Sequence, residues 1–230
     1  AAPPRAERPR RQATGQSETV TPRTPRCSVS IPFDTSSPRR LAQHSTLQYA
    51  MSLPEAWLLG RIEGCSDALL PVAHALVQAR KELTALRDDT SAEECTADPG
   101  GIASIGFHIA HITGSLDRLF TYARDEPLSP AQLEYLRQEA EIGGSVAKHD
   151  LFEASLERID NCLEALSGIP DGQLFDSRPV GRDKLPSNVI GLLFHAAEHT
   201  TMHVGQIRTT LKIIRGSGSH DRSPGGDEIG

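Results

Sequence analysis

The chain has 230 residues, with 24 Lys and Arg against 30 Asp and Glu and a net charge of −6. A dedicated nucleic-acid-binding protein normally carries a basic excess, so this balance argues against a nucleic-acid partner. No apolar run approaches the roughly 18 residues that cross a bilayer, so no membrane-spanning helix is expected. The length is typical of one domain with appendages.

The first fifty residues differ in composition from the rest. The first forty hold eight Arg but only three acidic residues, and seven of the sixteen Pro, which gives net +5 against −11 for the remainder. Such a segment cannot bury enough apolar surface to offset its chain entropy, so we expect residues 1–50 to form a disordered basic arm. An Arg-rich, acid-poor arm is also typical of a cleaved transit peptide. Met51 is the first Met, so a translation start there is a further interpretation.

Residues 51–215 carry the three- and four-residue spacing of apolar side chains that predicts helices. No convincing strand pattern interrupts them, so the predicted fold is all-α, an antiparallel four-helix bundle. The predicted segments, in chain order, are one capped by Ser66 and reaching Leu86, Ser104 to Arg124, a short piece from Ser129 to Leu136, Ala147 to Leu166, and one capped by Ser187 and reaching Ile214. Residues 216–230, rich in Gly and Ser, are expected to form a flexible tail.

The four cysteines, Cys27, Cys65, Cys95 and Cys162, are widely spaced and form no C-x-x-C pair. Disulfide scaffolds are denser, and a four-cysteine zinc site needs convergent spacing. The pattern therefore indicates reduced thiols in a cytoplasmic protein.

Five of the nine histidines fall on two predicted helices. They are His108 and His111 on the second, and His195, His199 and His203 on the last. Residues four apart share a helix face, so His199 and His203 interrupt an otherwise apolar row. Bundle cores build metal sites from such inward side chains, and neutral imidazole is a common ligand. A metal site and hydrogen-bonded core histidines both remain open on this pattern. Asp117 and Arg118 are expected on a solvated face, with part of a pocket rim as the alternative.

A second motif overlaps the last of these helices. His195, Glu198 and His199 match the H-x-x-E-H pattern of inverted zinc peptidases, in which both histidines bind zinc and the glutamate activates water. Those enzymes also need a distant acidic ligand and a larger domain, so this is the third hypothesis. Glu198 is otherwise a solvated residue or a partner that orients a histidine.

The two histidine segments, residues 104–119 and 195–206, resemble the two metal-bearing helices of the DinB/YfiT-like superfamily. Its members commonly carry H-x-x-x-H followed by Arg-Gly-Gln, and here Val204 stands where Arg is common. The resemblance spans residues 51–215 and implies a four-helix bundle, often a homodimer, that holds zinc or nickel through three histidines. By position these are His111, His199 and His203, with His108 one turn away from the first. Gly205 is expected to let a neighbouring helix approach closely.

The resemblance also implies a chemistry. Known activities of the family are mostly transfers of low-molecular-weight thiols such as bacillithiol, mycothiol or glutathione, and many members are described as metal-dependent hydrolases. We therefore expect a small-molecule substrate, a thiol cosubstrate or water as nucleophile, and proton transfer by His108, His195 or Glu198. The competing hypothesis is a non-catalytic bundle, a dimerising or stress-associated binding module with structural histidines.

Overall fold

The computed structural model describes residues 54–217, so the predicted arm (1–50) and residues 218–230 of the predicted tail lie outside the described range. The helices are α1 (Leu70–Asp89), α2 (Ala92–Thr96), α3 (Ile105–Ala123), α4 (Pro130–Ser145), α5 (Lys148–Leu166) and α6 (Val189–Ser217). Short 3-10 turns occupy Ala56–Leu58 and Asp171–Gln173. Over this range two isolated β-bridges occur in the loop before α6 and no strand forms, so the all-α prediction is confirmed.

Four helices form the bundle. Helix α1 packs against α5 and α6, and α3 packs against the same two, so α1, α5, α3 and α6 form a closed ring around one apolar core. The core is built mainly from Leu, Ile, Val and Ala, as the shortage of aromatic residues predicts. Helix α4 lies outside the ring and packs on α3.

Contacts between side chains show the helix directions. Arg80 and Arg87 of α1 pair with Asp160 and Glu153 of α5, so these two helices run antiparallel. Glu82 and Asp89 of α1 pair with Arg208 and Arg215 of α6, so that pair is parallel. Helices α3 and α6 are antiparallel, because His108 meets His203 while His111 meets His199. The predicted antiparallel arrangement therefore holds for some helix pairs but not for α1 and α6. The parallel pair arises because α4 carries the chain back to the start of α3 before α5 begins.

Two of the predicted helix N-termini differ from the observed ones. Helix α1 begins at Leu70 with Leu69 as its N-cap, whereas the predicted cap, Ser66, has a buried hydroxyl with no hydrogen-bond partner among residues 54–217. The N-terminal cap of α6 comes from Asn188, whose Oδ1 accepts from the backbone N–H of Gly191 at 2.8 Å, rather than from Ser187. Ser129 does cap α4, through a reciprocal capping box with Gln132.

Helix α4 runs nine residues beyond its predicted end at Leu136 because its last turns pack closely on α3. A Cβ at Gly106 would lie 2.0 Å from the carbonyl oxygen of Gly143, and one at Gly143 would lie 2.4 Å from the Phe107 nitrogen. Only glycine permits this crossing of α3 and α4. The expectation for Gly205 was wrong, since a Cβ there would meet nothing within 4 Å.

Cys65, Cys95 and Cys162 are buried thiols, and Cys27 lies outside the described residues. Burial raises the pKa of Cys95 to about 11 and that of Cys162 to about 12, so neither is a thiolate at neutral pH. Of the helices described here, none has both the length and the apolar character that a membrane span requires.

Candidate metal centre

Three histidines from two antiparallel helices meet between α3 and α6. The Nε2 atom of His199 lies 2.9 Å from Nε2 of His111 and 3.2 Å from Nε2 of His203. In the described part of the chain these three form the group whose ligand atoms could hold a metal ion, all within 4.8 Å of one another. The three residues are those that the resemblance implied.

The spacing of the Nε2 atoms fits a first-row transition metal. Zinc–nitrogen bonds of about 2.0–2.1 Å at angles of about 90–110° place two ligand nitrogens about 2.9–3.4 Å apart. The two short Nε2–Nε2 distances, 2.9 and 3.2 Å, fall in that range. Hydrogen bonds alone cannot satisfy all three Nε2 atoms well, because one N–H on His199 cannot make two good hydrogen bonds at once. The donor set therefore suits a cation.

Glu139 and Arg118 lie behind the histidines. Glu139 Oε2 is 2.7 Å from Nδ1 of His111, and its Oε1 is 2.7 Å from Nη1 of Arg118. Burial acts to raise the pKa of Glu139, but the hydrogen bonds from His111 and Arg118 outweigh burial and lower it below its usual range. Glu139 is thus an ionised acceptor. In neutral His111 the proton sits on Nδ1, and the lone pair of Nε2 faces the other two histidines.

His108 lies one turn from His111 and is not part of the group of three. Its Nδ1 lies 3.0 Å from Nδ1 of His203, and its side chain is buried. It therefore contacts His203 through Nδ1, the ring nitrogen that does not face the other cluster histidines. The sequence left both residues open as the contribution from α3, and the geometry brings His111 to the cluster.

Burial favours the neutral form of His108, His199 and His203 by lowering the pKa of each. Desolvation, followed by the neighbouring His199, His111 and His108, lowers the pKa of His203 to about 3. The pKa values of His199 and His108 are also lowered, chiefly by burial and then by His111. Neutral imidazole is the form that binds metal, so at neutral pH the rings are ready to accept a cation.

The other predicted site residues lie at the surface of α6. His195 is exposed, with its ring centroid 5.1 Å from that of His199, and Glu198 is also exposed. His195 does not join the group of three, although the H-x-x-E-H pattern requires both of its histidines as ligands. His195 and His199 therefore do not form the pair of zinc ligands that the inverted-peptidase hypothesis requires.

Glu139 was missed by the sequence analysis, and the prediction of a solvated face was wrong for Arg118, whose side chain is only 11% exposed. One signal was present: Arg118 follows His111 by seven residues, which places both on one face of α3. Nothing in the sequence marks Glu139 among the other acidic residues of α4. Its importance depends on how α4 docks.

A groove of about 480 Å³ lies between α3, α4 and α5, and none of the histidines lines it. Its walls include Gly114, Tyr135 and Asp117. Asp117 forms an ion pair with Arg158 at 2.8 Å, so its charge is already partnered. The groove is therefore separate from the histidine cluster.

A comparison with protein-family models identifies the family of the chain. The model of the DinB superfamily matches residues 75–207, more than half of the chain, and the matched range contains every histidine of the cluster. A search of curated proteins finds no match. The bundle, the three histidines and the family match together show that the chain belongs to the DinB superfamily.

Proposed function

We propose that this protein is a metal-dependent enzyme that binds a divalent transition metal through His111, His199 and His203. The observation that carries the proposal is the convergence of three Nε2 atoms, with separations of 2.9 and 3.2 Å around His199. Three histidines leave a coordination position for a reactant, which is the arrangement of catalytic rather than closed structural zinc sites.

The ligand set indicates the class of metal. Imidazole nitrogen suits zinc, nickel, copper and iron, whereas magnesium and calcium prefer oxygen ligands. Glu139, the carboxylate in contact with His111, is occupied by His111 and Arg118 and offers no oxygen to the cluster. Within this class of metals the family resemblance implies zinc or nickel, and these are the metals that we propose for this site.

A bound divalent metal would lower the pKa of a thiol or a water and make it a nucleophile near neutral pH. The chain's own residues hold and move protons around that position. His195, exposed beside His199, can exchange protons with solvent, and Glu198 can accept one at the same surface. His108, buried against His203, orients that ring through their 3.0 Å contact.

We place thiol transfer ahead of hydrolysis on the family resemblance. Burial raises the pKa of Cys95 and of Cys162 well above neutrality, so neither residue supplies a thiolate near pH 7. This supports a reactive thiol that comes from a cosubstrate. In the proposed reaction the thiolate sulfur of a low-molecular-weight thiol forms a bond to an electrophilic carbon of a small-molecule substrate. The thiol proton passes to His195, Glu198 or solvent, and in a displacement the leaving group departs with its bonding electrons; water is the alternative nucleophile.

A non-catalytic bundle is the second candidate, and one observation favours it. The buried rings already have polar partners: His108 contacts His203, and His111 contacts Glu139. Hydrogen-bonded core histidines need no metal to be accommodated.

Metal content tests the ligand set that the first candidate requires. Elemental analysis of the natively purified protein is expected to show stoichiometric zinc or nickel, which the His199→Ala/His203→Ala variant loses. His149→Ala, an exposed histidine on α5, is the control and is expected to keep the metal. Stoichiometric metal in the double variant would contradict the ligand set.

Activity then tests the chemistry. The metal-loaded protein is screened for consumption of bacillithiol, mycothiol or glutathione in the presence of electrophilic small molecules. We expect turnover that disappears on metal removal and in the double variant. A protein that consumes no thiol, hydrolyses no test ester or amide, and melts at the same temperature with and without metal supports the non-catalytic bundle.

A further inference from the structure

We propose that Glu139 is a positioning residue for the metal centre. Its carboxylate is shared between His111 and Arg118. In the metal-free protein it fixes His111 in one tautomer, the one with an unprotonated Nε2 that faces the other two histidines. This inference rests on the proposed function, because it concerns the same three histidines.

The hydrogen bonds determine which atom of His111 carries the proton. An ionised carboxylate only accepts, so at 2.7 Å from Glu139 Oε2 the His111 Nδ1 atom must donate. The other carboxylate oxygen, Oε1, accepts from Nη1 of Arg118 at 2.7 Å. Each oxygen therefore has its own donor, and the carboxylate cannot turn away from His111 without giving up one of them.

Arg118 makes this buried carboxylate tolerable. The side chain of Glu139 is 6% exposed and that of Arg118 is 11% exposed. An unpaired charge at such a position is strongly unfavourable, whereas a paired one is accommodated. Arg118 pairs the charge of Glu139 and holds its second oxygen, so it supports the contact between Glu139 and His111.

Helix α4 buries one carboxylate, that of Glu139, against α3. Of its sixteen residues only Glu139 and Gly143 are buried. Gly143 forms the close crossing with Gly106, and Gly114 leaves the space that the ion pair fills. A Cβ on Gly114 would lie 2.5 Å from Glu139 Oε1 and 2.7 Å from Arg118 Nη1. The apolar contribution of α4 is small, so its close packing serves mainly to hold Glu139 against His111.

A carboxylate on the far nitrogen of a ligand histidine fixes the ring and raises its basicity, and loss of such a partner typically weakens metal binding about 10–100-fold. Glu139→Gln removes the charge while keeping the shape. Arg118→Met removes the donor to Oε1 and leaves the buried carboxylate without its charge partner, so Glu139 is held less firmly against His111. A positioning role therefore predicts weaker binding in both variants, with the larger loss in Glu139→Gln, because that variant removes the carboxylate itself.

The first experiment measures the Zn²⁺ dissociation constant of the full chain by competition with a chromophoric chelator at pH 8. We expect Glu139→Gln to bind about 10–100-fold more weakly, and Arg118→Met to bind more weakly than wild type but more tightly than Glu139→Gln. Glu141→Gln, an exposed acid on the same helix, is the matched control and should bind like wild type. Wild-type affinity in Glu139→Gln, or a larger loss in Arg118→Met than in Glu139→Gln, would overturn the proposal.

The second experiment uses metal-free protein, so its result does not depend on the proposed function. The ¹⁵N shifts of His111 are expected to show one tautomer, protonated at Nδ1, in wild type and Glu141→Gln. In Glu139→Gln the amide can donate or accept, so a mixture of tautomers is expected. A His111 that is already mixed in wild type, or unchanged in Glu139→Gln, contradicts the positioning role.

The two experiments separate the two proposals. A wild-type protein that binds no Zn²⁺ contradicts the proposed function, while the tautomer measurement still decides the role of Glu139. A wild-type protein that binds Zn²⁺ with an affinity and a His111 tautomer insensitive to Glu139→Gln leaves the function standing and rejects the positioning role alone.

Discussion

The interface between α1 and α5 and the interface between α3 and α6 solve the packing problem differently. Between α1 and α5, apolar side chains such as Leu83 are fully buried, and charged pairs such as Arg87–Glu153 (2.6 Å) lie at the partly exposed rim. Between α3 and α6, His108 and His203 are buried in the seam itself.

This difference separates stability from function within one bundle. Apolar burial is the main source of folding free energy, and surface ion pairs add little. Imidazoles in a core require polar partners and lose hydration, so the α3–α6 seam gives up stabilisation that Leu or Ile would supply. Buried polar groups that reduce stability are expected where they serve a function. We therefore expect substitutions in the two interfaces to change different measurements.

The largest expected effect on stability is in the apolar interface. Leu83→Ala should lower the free energy of unfolding by about 2–5 kcal/mol through lost burial and a residual cavity. Chemical denaturation of metal-free protein measures this. The folded variant should keep the wild-type Zn²⁺ affinity, and a large loss of affinity would show that the two interfaces are not separate.

Metal binding should stabilise the protein through the histidine seam alone. Free Zn²⁺ at about 100 times its dissociation constant is expected to add about 2.7 kcal/mol to the unfolding free energy. Thermal or chemical denaturation with and without Zn²⁺ gives the increment. Leu83→Ala should show the same increment and His199→Ala/His203→Ala none; an increment that survives in the double variant would place the metal elsewhere.

Acid should destabilise the metal-free protein through His203. Its pKa is about 3 when folded against an ordinary 6.5, so as the pH falls below about 6.5 the unfolded chain takes up a proton that the folded chain does not. Stability is unaffected above that pH and declines toward pH 3, by about 1.4 kcal/mol per pH unit for this proton, or about 2 kcal/mol at pH 5. Denaturation of chelator-treated protein between pH 5 and 7.5 tests this.

The smallest expected change in stability comes from removing two buried imidazoles together. His108→Leu/His203→Leu replaces both partners of the Nδ1 contact with apolar groups, so the unfolding free energy should change by less than about 1 kcal/mol or increase. The variant should lose Zn²⁺ binding and flatten the acid dependence due to His203. A loss of several kcal/mol with Zn²⁺ binding intact would make these histidines structural.

Much of the fold was predictable from local signals. The apolar spacing located α3 and α5 to within a residue or two, because helix periodicity is a short-range property. Residues four apart placed His199 and His203 on one face for the same reason. The end of α4 was not predictable, since its last turns depend on a glycine crossing with α3 that no local pattern in α4 reveals.

The sequence by itself determined the helical class, the apolar core and a pair of stacked histidines, because these follow from periodicities of three and four residues along one chain. Only the tertiary structure decided that His111 rather than His108 brings its Nε2 to the Nε2 atoms of that pair, and that Glu139 and Arg118 lie behind it. Those choices depend on the rotation of α3 against α6 and on the docking of α4. The contacts that set them join residues 21 to 95 positions apart, a range at which packing, and not local preference, decides which side chains meet.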